Sequence, residues 1–377
     1  MSPHAIFVPL PKYNTSQYRI SSCFGTLPIA SMSKITAFLK RYKKWLTGCG
    51  IVVFVILAAL HLYCHATLLK GEEDVHIYLD ENDNIDSVYA KLTPVSSSGA
   101  LSAYKMLAGV TGYDRHVRTG HYKIAPGEGA LTVLRRMKNG VQTPIQLVIT
   151  PTWTKEMLCG KLATQLQCDS AALVALINDN TWCKQHGYDT ATIATIFLPD
   201  SYEVWWNIKP EALMERMIKE HDTFWDSGRR AKADALQLTP EQVTTLASIV
   251  DGETTNSAEK PTIAGLYYNR MQKDMLLQAD PTVKFALQKF DLRRIYNSML
   301  RTESPYNTYV TKGLPPGPIR IATKDAIDAV LNMHRHHYLY MCAKEDFSGT
   351  HNFAATYAEH QANAAKYVKA LNERKIR

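Results

Sequence analysis

One carboxyl side chain, Glu253, combines a residue type and a position that suit proton transfer. The segment before it carries apolar residues at Val243, Leu246, Ala247 and Val250, which is the spacing of a buried helix face. Glu253 lies three residues after Val250 and continues this face. A carboxyl at the inner end of an apolar face loses hydration, which disfavours its charged form and raises its pKa. Such a group can hold a proton near neutral pH and give it to a leaving oxygen.

A simpler interpretation of the same pattern makes Glu253 a solvated residue at the end of a helix. The start of that helix is well marked, because Thr239 and Gln242 have the spacing of a capping box and Pro240 takes the first helical position. Asp251 falls on roughly the opposite helix face and is not an obvious partner. The sequence contains no G-x-S-x-G, Walker or H-E-x-x-H motif, so Glu253 is the best candidate for chemistry.

Aromatic residues concentrate between the strand pattern near residue 200 and this helix. They are Tyr202, Trp205, Trp206 and Trp225. Aromatic rings stack on sugars and on each other. The group therefore fits either a carbohydrate-lined cleft or an ordinary aromatic core.

The segment at 70–150 has the pattern of a small α+β module. Val75–Leu79 and Gly120–Ile124 are predicted strands, and 101–110 and 131–139 are predicted helices. The second helix is followed by a glycine, which is typical of a helix end.

The strand-then-helix layout returns about seventy residues later in the chain. Leu79 then aligns with Ile149, and Val88 aligns with Leu158. A duplicated unit and a chance agreement of a common motif both explain this pattern. We expect a second strand–helix unit at 151–198 that leads into the rest of the chain.

The uncharged segment at 45–64 has roughly the 20 apolar residues that a helix needs to cross a bilayer. Four basic residues precede it closely, and three acidic residues follow at 72–74. Basic residues hold the amino-terminal side in the cytoplasm, so we expect a cytoplasmic basic leader at 1–44 and an exported remainder. A cleaved signal peptide and a buried core helix are the alternatives. No small-x-small exit follows the apolar segment, which favours an uncleaved anchor.

Charge and composition exclude two broad classes of protein. The net charge is +8, but seven basic residues and no acidic ones lie in 1–44, so the exported part is close to neutral. We therefore expect no nucleic-acid partner. With 46% hydrophobic and 21% charged residues, the chain is globular and not mostly disordered.

The sequence predicts neither a cofactor nor a metal site. No C-x-x-C pair occurs, and the three histidines within 334–337 have no zinc-binding spacing. Cys159, Cys168, Cys183 and Cys342 would face an oxidising compartment. One disulfide among the first three, or four free thiols, are both compatible with the sequence.

Four motifs, in order and spacing, resemble the endolytic murein transglycosylase (YceG-like, MltG) family. They are ASIVDGETTNSAEKPTIAGLYYNR at 247–270, LQADPTV at 277–283, YNTY at 306–309 and GLPPGPI at 313–319. The segments 197–202 and 351–360, the single anchor and the small module also fit. The resemblance covers about residues 40–375.

The resemblance implies internal cleavage of peptidoglycan glycan strands, which leaves 1,6-anhydro-N-acetylmuramic acid ends. It places the catalytic glutamate of an I-[VI]-E-x-E-T pattern on Glu253, while Asp251 replaces the first glutamate of that pattern. It also implies that 70–150 is a LysM-like glycan-binding module, of which this copy is divergent. A lytic transglycosylase uses the sugar's own 6-hydroxyl as nucleophile, so one carboxyl is sufficient.

Seven further residues of these motifs are candidates for orienting the amides and hydroxyls of the sugar. They are Gln278, Tyr306, Asn307, Asn269, Asp280, Thr308 and Tyr309. Simpler roles compete, because Asp280 also fits a helix cap and Asn269–Arg270 a local hydrogen-bond network. The proline-rich motif at 313–319 fits a rigid turn that forms a cleft wall.

Together these observations predict an α+β protein with a single N-terminal transmembrane helix, a LysM-like module at 70–150 and a mixed α+β catalytic domain at 199–377. We expect a lytic transglycosylase in the inner membrane, with its catalytic part in the periplasm. There it would cleave nascent glycan strands, affect their length and work near wall-synthesis enzymes. The alternatives are a non-catalytic membrane-anchored peptidoglycan-binding scaffold and a glycoside hydrolase.

Overall fold

The structure, a computed structural model, describes residues 29–292 and 294–374. It has two separate units, one that ends at His65 and one that begins at Ala66. The predicted mixture of helices and strands is confirmed.

The first unit contains a single described helix, α1 (Ile29–Cys64). Its part at Lys40–Cys64 has 25 residues and a mean hydropathy of 2.2, so it is long and apolar enough to cross a membrane. The helix begins well before the apolar segment and includes the four basic residues next to it. Residues 1–28 of the predicted leader, with Lys12, Arg19 and Cys23, lie outside the described residues.

The second unit contains six strands and thirteen α-helices among its described residues. In chain order they are β1 (Val75–Leu79), α2 (Ile85–Leu92), α3 (Ser98–Thr111), β2 (Gly120–Ile124), α4 (Ala130–Asn139), β3 (Ile145–Ile149), α5 (Lys155–Ala163), α6 (Ser170–Asn178), α7 (Asn180–Gln185), β4 (Asp200–Val204), α8 (Pro210–Phe224), α9 (Ser227–Ala235), α10 (Pro240–Glu253), α11 (Lys260–Gln272), α12 (Asp280–Leu287), α13 (Lys324–Leu331), β5 (Tyr340–Ala343), β6 (His351–Ala354) and α14 (Tyr357–Glu373).

The predicted module near 70–150 forms a two-stranded antiparallel sheet with helices on one face. β1 pairs with β2 so that Val75 faces Ile124 and Leu79 faces Gly120. The helices α2, α3 and α4 bury their apolar faces against this sheet in one core. Gly140 ends α4 in the left-handed conformation, as its position after the helix predicted.

The next segment repeats this layout with a second core. β3 pairs antiparallel with β4, so that Ile145 faces Val204 and Ile149 faces Asp200, and helices again lie between the two strands. β1 and β3 begin seventy residues apart, which is the spacing between the two strand–helix patterns in the sequence. This core also includes Met217 on α8.

The third core surrounds α10. Its capping box, formed by Thr239 and Gln242, is present as predicted, with Pro240 in the first turn. The four apolar residues of the predicted face are fully buried. Helices α11, α12 and α13 pack around α10, and the β5–β6 hairpin and α14 complete this part. The predicted helix is therefore the central element of the third core.

The proline-rich turn at 313–319 joins the second and third cores. The backbone of Gly317 lies so close to Ala191 that an added Cβ would be 2.2 Å from its carbonyl oxygen. Only glycine fits this approach. Two residues beyond the turn, the amide of Ile321 donates to the carbonyl of Thr152 (2.9 Å). These contacts hold the turn against the segment of the chain that contains Thr152 and Ala191.

The four clustered aromatic residues do not share one environment. Tyr202 and Trp225 are buried in the second and third cores, respectively. Trp205 is exposed and Trp206 is half-buried. Two of the four therefore serve as core residues, and Trp206 remains at a surface.

The six cysteines within the described part of the chain are free. Cys159 and Cys183 are buried. Burial raises the pKa of the Cys159 thiol to about 12. The structure therefore has the free-thiol arrangement of the two that the sequence left open.

Candidate active site

Glu253 is the last residue of α10 and lines a cavity of about 220 Å³. Its carboxyl Oε1 accepts a hydrogen bond of 2.6 Å from the Tyr267 hydroxyl. Burial raises the pKa of Glu253 to about 7, and the nearby charge of Asp280 acts in the same direction. The Tyr267 hydrogen bond and the charges of Lys284 and Arg270 act in the opposite direction. The half-buried carboxyl thus differs from the freely solvated group of the simpler interpretation.

Tyr267 comes from α11 and is almost fully buried. Burial, together with the negative charge of Glu253, raises the pKa of Tyr267 well above its usual value. The phenol therefore keeps its proton and remains a donor to the carboxyl. It fixes the orientation of Glu253 and favours the charged form of that side chain.

Arg270, one helical turn further along α11, ties together two walls of the cavity. Its guanidinium donates to the carbonyl oxygens of Leu277 (2.7 Å) and Leu339 (2.6 Å). It also lies over the ring of Tyr340, 5.3 Å from the centroid. The side chain is buried, so it holds the loop before α12 against the segment that leads into β5.

Three of the predicted sugar-orienting residues line this cavity: Gln278, Asp280 and Tyr309. Gln278 has a left-handed backbone with φ of +53°, a strained conformation for a residue with a side chain. The backbone N–H of Gln278 donates to the carbonyl oxygen of Thr308 (3.0 Å), and this hydrogen bond holds the strained backbone in place. The Tyr309 hydroxyl donates to the Asp280 carboxylate (2.6 Å). Asp280 lies in the first turn of α12 without capping it.

Asn269 and Tyr306 lie outside this cavity. The Asn269 amide donates to the carbonyl oxygens of His336 (2.8 Å) and Tyr338 (3.2 Å). Tyr306 packs against Phe285, with ring centroids 4.7 Å apart. Both residues therefore hold protein segments together, and Asn269 forms the local network that the sequence offered as its alternative role.

Asn307 and Thr308 are buried within the turn that carries Tyr309. The Asn307 amide donates to the carbonyl oxygens of Leu300 (3.0 Å) and Thr302 (2.8 Å). The Thr308 hydroxyl lies 2.8 Å from that of Thr282 and accepts a hydrogen bond from the amide of Ala279. These contacts fix the position of the turn, and neither side chain lines the cavity.

Sequence reasoning missed the wall that β5 and β6 provide. Met341, Cys342 and Ala343 line the cavity from β5, and His351 lines it from β6. The amide of His351 donates to the carboxylate of Glu259 (2.8 Å), and its ring Nδ1 lies 3.2 Å from the same group. His351 is the first residue of the segment 351–360, which belongs to the family resemblance. That resemblance was the one signal in the sequence that could have pointed to this wall.

Asp251 has a structural environment that differs from that of Glu253. Its carboxylate is buried, lies 2.8 Å from the Lys260 ammonium and accepts hydrogen bonds from the amide and hydroxyl of Thr323. It does not line the Glu253 cavity. Its place on the other side of α10 agrees with the sequence analysis.

The histidines at 334–337 lie around another surface pocket, next to Asn269. His334 and His336 make hydrogen bonds to the hydroxyl and carbonyl of Thr262, respectively. Among the residues that the structure describes, no group of three or more His, Cys, Asp or Glu side chains is arranged to hold a metal ion.

Comparisons with known proteins give relatives over most of the chain. An endolytic murein transglycosylase of Bacillus subtilis is 26% identical over 345 residues, which cover 85% of this chain and 93% of the relative. A protein of the same name from Streptococcus pneumoniae is 25% identical over 284 residues, or 67% of this chain and 51% of the relative.

A crystal structure of a YceG-like protein from Listeria monocytogenes has the same fold, with a TM-score of 0.53 and 24% identity. The match covers 78% of this chain and 99% of the other. The model of the YceG-like family matches residues 77–366, from β1 into α14 and across the whole Glu253 cavity. With that match over most of its length, the chain belongs to the YceG-like family.

Proposed function

We propose that this protein is a membrane-anchored lytic transglycosylase. It cleaves the bond between N-acetylmuramic acid and N-acetylglucosamine inside glycan strands of peptidoglycan and leaves 1,6-anhydro ends. The observation that carries the proposal is the half-buried Glu253 carboxyl, whose pKa is raised to about 7 in a polar cavity. The names of the two relatives support the same reaction class.

In the first step, protonated Glu253 gives its proton to the glycosidic oxygen while the bond from the sugar C1 to that oxygen breaks. A carboxyl with a pKa near 7 suits this task, because about half of it is protonated at neutral pH and it transfers its proton readily. The leaving N-acetylglucosamine departs with a new 4-hydroxyl group.

In the second step, the 6-hydroxyl oxygen of the muramic acid attacks its own C1, and the Glu253 carboxylate takes the hydroxyl proton. This restores the acid and closes the anhydro ring without water. Attack within one molecule has a high effective concentration. The Tyr267 hydroxyl, 2.6 Å from Oε1, stabilises the carboxylate between the two steps.

The other cavity residues orient the sugar in this proposal. Gln278 offers an amide, and the Tyr309–Asp280 pair offers a hydroxyl and a carboxylate next to the reacting group. Asp280 has a second effect, because its negative charge helps to keep Glu253 protonated. Because the sugar's own 6-hydroxyl acts as the nucleophile, this mechanism needs no second carboxyl to activate a water molecule.

The helix α1 anchors the protein in the inner membrane in this proposal, with the basic residues on the cytoplasmic side and the catalytic part outside. An anchor keeps the cavity near newly made glycan strands. This position supports an effect on strand length and work beside wall-synthesis enzymes.

The test uses the full-length protein in detergent micelles with purified peptidoglycan, and mass spectrometry of the released sugar ends. We expect anhydro ends from the wild type and none from a folded Glu253→Gln variant. Glu241→Gln is the matched control, because it makes the same change in the first turn of the same helix, about 18 Å along the axis. It should keep wild-type activity.

Other products would contradict the proposal. Reducing ends from the wild type would identify a glycoside hydrolase, and intact strands with retained binding would identify a scaffold. Anhydro ends from Glu253→Gln at the wild-type rate would remove Glu253 from the mechanism.

A further inference from the structure

The surface pocket around the histidines at 334–337 has a volume of about 650 Å³ and lies beside α11. Gly265, Tyr268 and Asn269 line it from α11, and all residues of the segment 331–337 line it from the other side. We call this cavity the basic pocket. It shares no lining residue with the cavity of Glu253.

The segment 331–337 packs very closely against α11. A Cβ atom added at Gly265 would be 2.5 Å from the carbonyl oxygen of His334 and 2.8 Å from the Nε2 of His336. Only glycine allows this approach. The Nε2 of His336 also donates a hydrogen bond to the carbonyl oxygen of Thr262 (2.9 Å). One wall of the basic pocket is therefore fixed before any ligand arrives, which lowers the entropic cost of binding.

His336 supports the basic pocket as a neutral side chain. Its Nε2 donates to Thr262, while its Nδ1 accepts a hydrogen bond from the backbone N–H of Tyr338 (3.0 Å). An imidazole with one donor and one acceptor nitrogen is neutral. Burial, helped by the charges of His334 and His337, lowers the pKa of His336 and so agrees with this form. The positive charge of the basic pocket must therefore come from other residues.

Arg335 provides an available positive charge. Its guanidinium lines the basic pocket and has no hydrogen bond or ion pair within the described part of the chain. The ring of His337 lines the pocket beside it in the sequence. Next to the pocket, the Lys232 ammonium donates to the side chain of Asn332 (2.6 Å) and adds a second cation. Among the described residues, no Asp or Glu lines the basic pocket, so an anionic ligand is favoured.

The basic pocket also offers an apolar surface. Leu236 and Leu331 are buried at its lining, and Met333 and Tyr268 are half-buried. An inorganic anion would leave this surface uncovered. A short peptide with small side chains would cover it and place a carboxylate at Arg335, whose guanidinium can bind a carboxylate through two parallel hydrogen bonds. A short acidic peptide therefore fits the basic pocket better than an inorganic anion does.

The basic pocket and the Glu253 cavity lie on opposite faces of α11. Gly265 and Asn269 line the pocket, whereas Leu266 and Arg270 line the cavity. A helix with its side chains is about 10–12 Å across. An extended tetrapeptide spans roughly 13 Å, so a peptide attached to a sugar in the Glu253 cavity is long enough to reach the basic pocket. A carboxylate on the sugar itself is not.

We propose that the basic pocket binds the acidic peptide stem that N-acetylmuramic acid carries in peptidoglycan. Arg335 pairs with a carboxylate of the stem while the sugar occupies the Glu253 cavity. This inference rests on the proposed function, since it assigns two parts of one polymer to the two cavities. The enzyme then distinguishes strands that carry peptide stems from strands that lack them.

The binding test uses the full-length protein in detergent micelles and isothermal titration calorimetry in a phosphate-free buffer of low ionic strength. The probe is the stem tetrapeptide released from purified peptidoglycan by an amidase. We expect the wild type to bind it and Arg335→Gln to bind it about three- to tenfold more weakly, because one charge-assisted contact is lost. A tetrapeptide whose carboxyls have been converted to amides should bind equally to both proteins. Arg335 is exposed and unpaired within the described part of the chain, so the substitution leaves the fold intact.

The turnover test compares strands that carry peptide stems with the same strands after an amidase has removed the stems. For the stem-bearing strands, Arg335→Gln should raise KM by a similar factor and leave kcat unchanged. For the bare strands, both constants should match the wild type, because their lactyl carboxylates sit on the sugar and remain on the other side of α11. Arg301→Gln is the matched control, since Arg301 is exposed and lines neither cavity. It should behave as the wild type in both tests.

Three results would contradict one of the two proposals. Wild-type affinity of Arg335→Gln for the tetrapeptide, or an equal rise in KM for bare strands, would overturn the inference and leave the proposed function intact. Displacement of the tetrapeptide by an equal concentration of inorganic phosphate would assign the basic pocket to a phosphate ligand and also overturn the inference. Absence of anhydro ends from the wild type would instead overturn the proposed function.

Discussion

Replacing Glu253 with glutamine tests the protonation state of this side chain through stability as well as through catalysis. The pKa of Glu253 rises from an ordinary value of 4.5 to about 7 in the folded protein, chiefly because of burial. Each unit of pKa difference between the folded and unfolded states corresponds to about 1.4 kcal/mol. A difference of this size corresponds to roughly 3 kcal/mol in the free energy of unfolding.

The direction follows from proton binding. Since the folded-state pKa lies above the unfolded value, the folded chain binds more protons than the unfolded chain between about pH 4.5 and 7. The free energy of unfolding of the wild type therefore falls as pH rises through this window. Glutamine has nearly the same shape as glutamate and does not titrate. The free energy of unfolding of the variant therefore does not fall in this way as pH rises.

The assay is urea unfolding of the full-length wild type and Glu253→Gln in the same detergent, at several pH values from 4.5 to 8. Tryptophan fluorescence, to which the buried Trp225 contributes, provides the signal. We expect the stability of the variant relative to the wild type to increase by up to about 3 kcal/mol across this range. Stability curves that stay parallel from pH 4.5 to 8 would refute the reasoning, since Glu253 would then titrate as an ordinary solvated carboxyl.

Three other substitutions test the electrostatics around α10. Tyr267→Phe removes a hydrogen bond that favours the charged form of Glu253, so the alkaline limit of activity should move to higher pH. Asp280→Asn removes a charge that raises the pKa of Glu253, so the same limit should move to lower pH; pH–rate profiles that coincide with the wild type would contradict both expectations. Lys260→Met leaves the buried Asp251 carboxylate without its cation and should cost about 3 kcal/mol in unfolding experiments. Adding Asp251→Asn should recover part of that loss, and an unchanged stability of the single variant would show that the pair contributes little.

Local sequence patterns predicted individual strands and helices, but they could not show which of these elements pack together in one core. The strands at 75–79 and 120–124 and the capping box at Thr239 depend on neighbouring residues, and the structure has them where the sequence placed them. The second core includes residues of β3, β4 and α8 because β4 pairs with β3, more than fifty residues earlier in the chain. Such pairing depends on tertiary contacts, and periodicity carries no information about it.

The same limit applies to the candidate site. The motif at 306–309 supplied four neighbouring candidates. Tyr309 lines the cavity, Asn307 and Thr308 are buried within the turn, and Tyr306 packs against Phe285. In a turn, side-chain directions depend on backbone angles that residue types do not fix. Tyr267 and the β5–β6 wall escaped prediction because they become neighbours of Glu253 only when α11 and the hairpin fold over α10.

The position of the β5–β6 hairpin has a consequence for when the enzyme becomes active. The walls of the Glu253 cavity come from segments that extend from residue 253 to residue 351. A nascent chain that has emerged only as far as α13 carries the acid but lacks one side of its enclosure. Synthesis of this protein is therefore nearly complete before the Glu253 cavity can form.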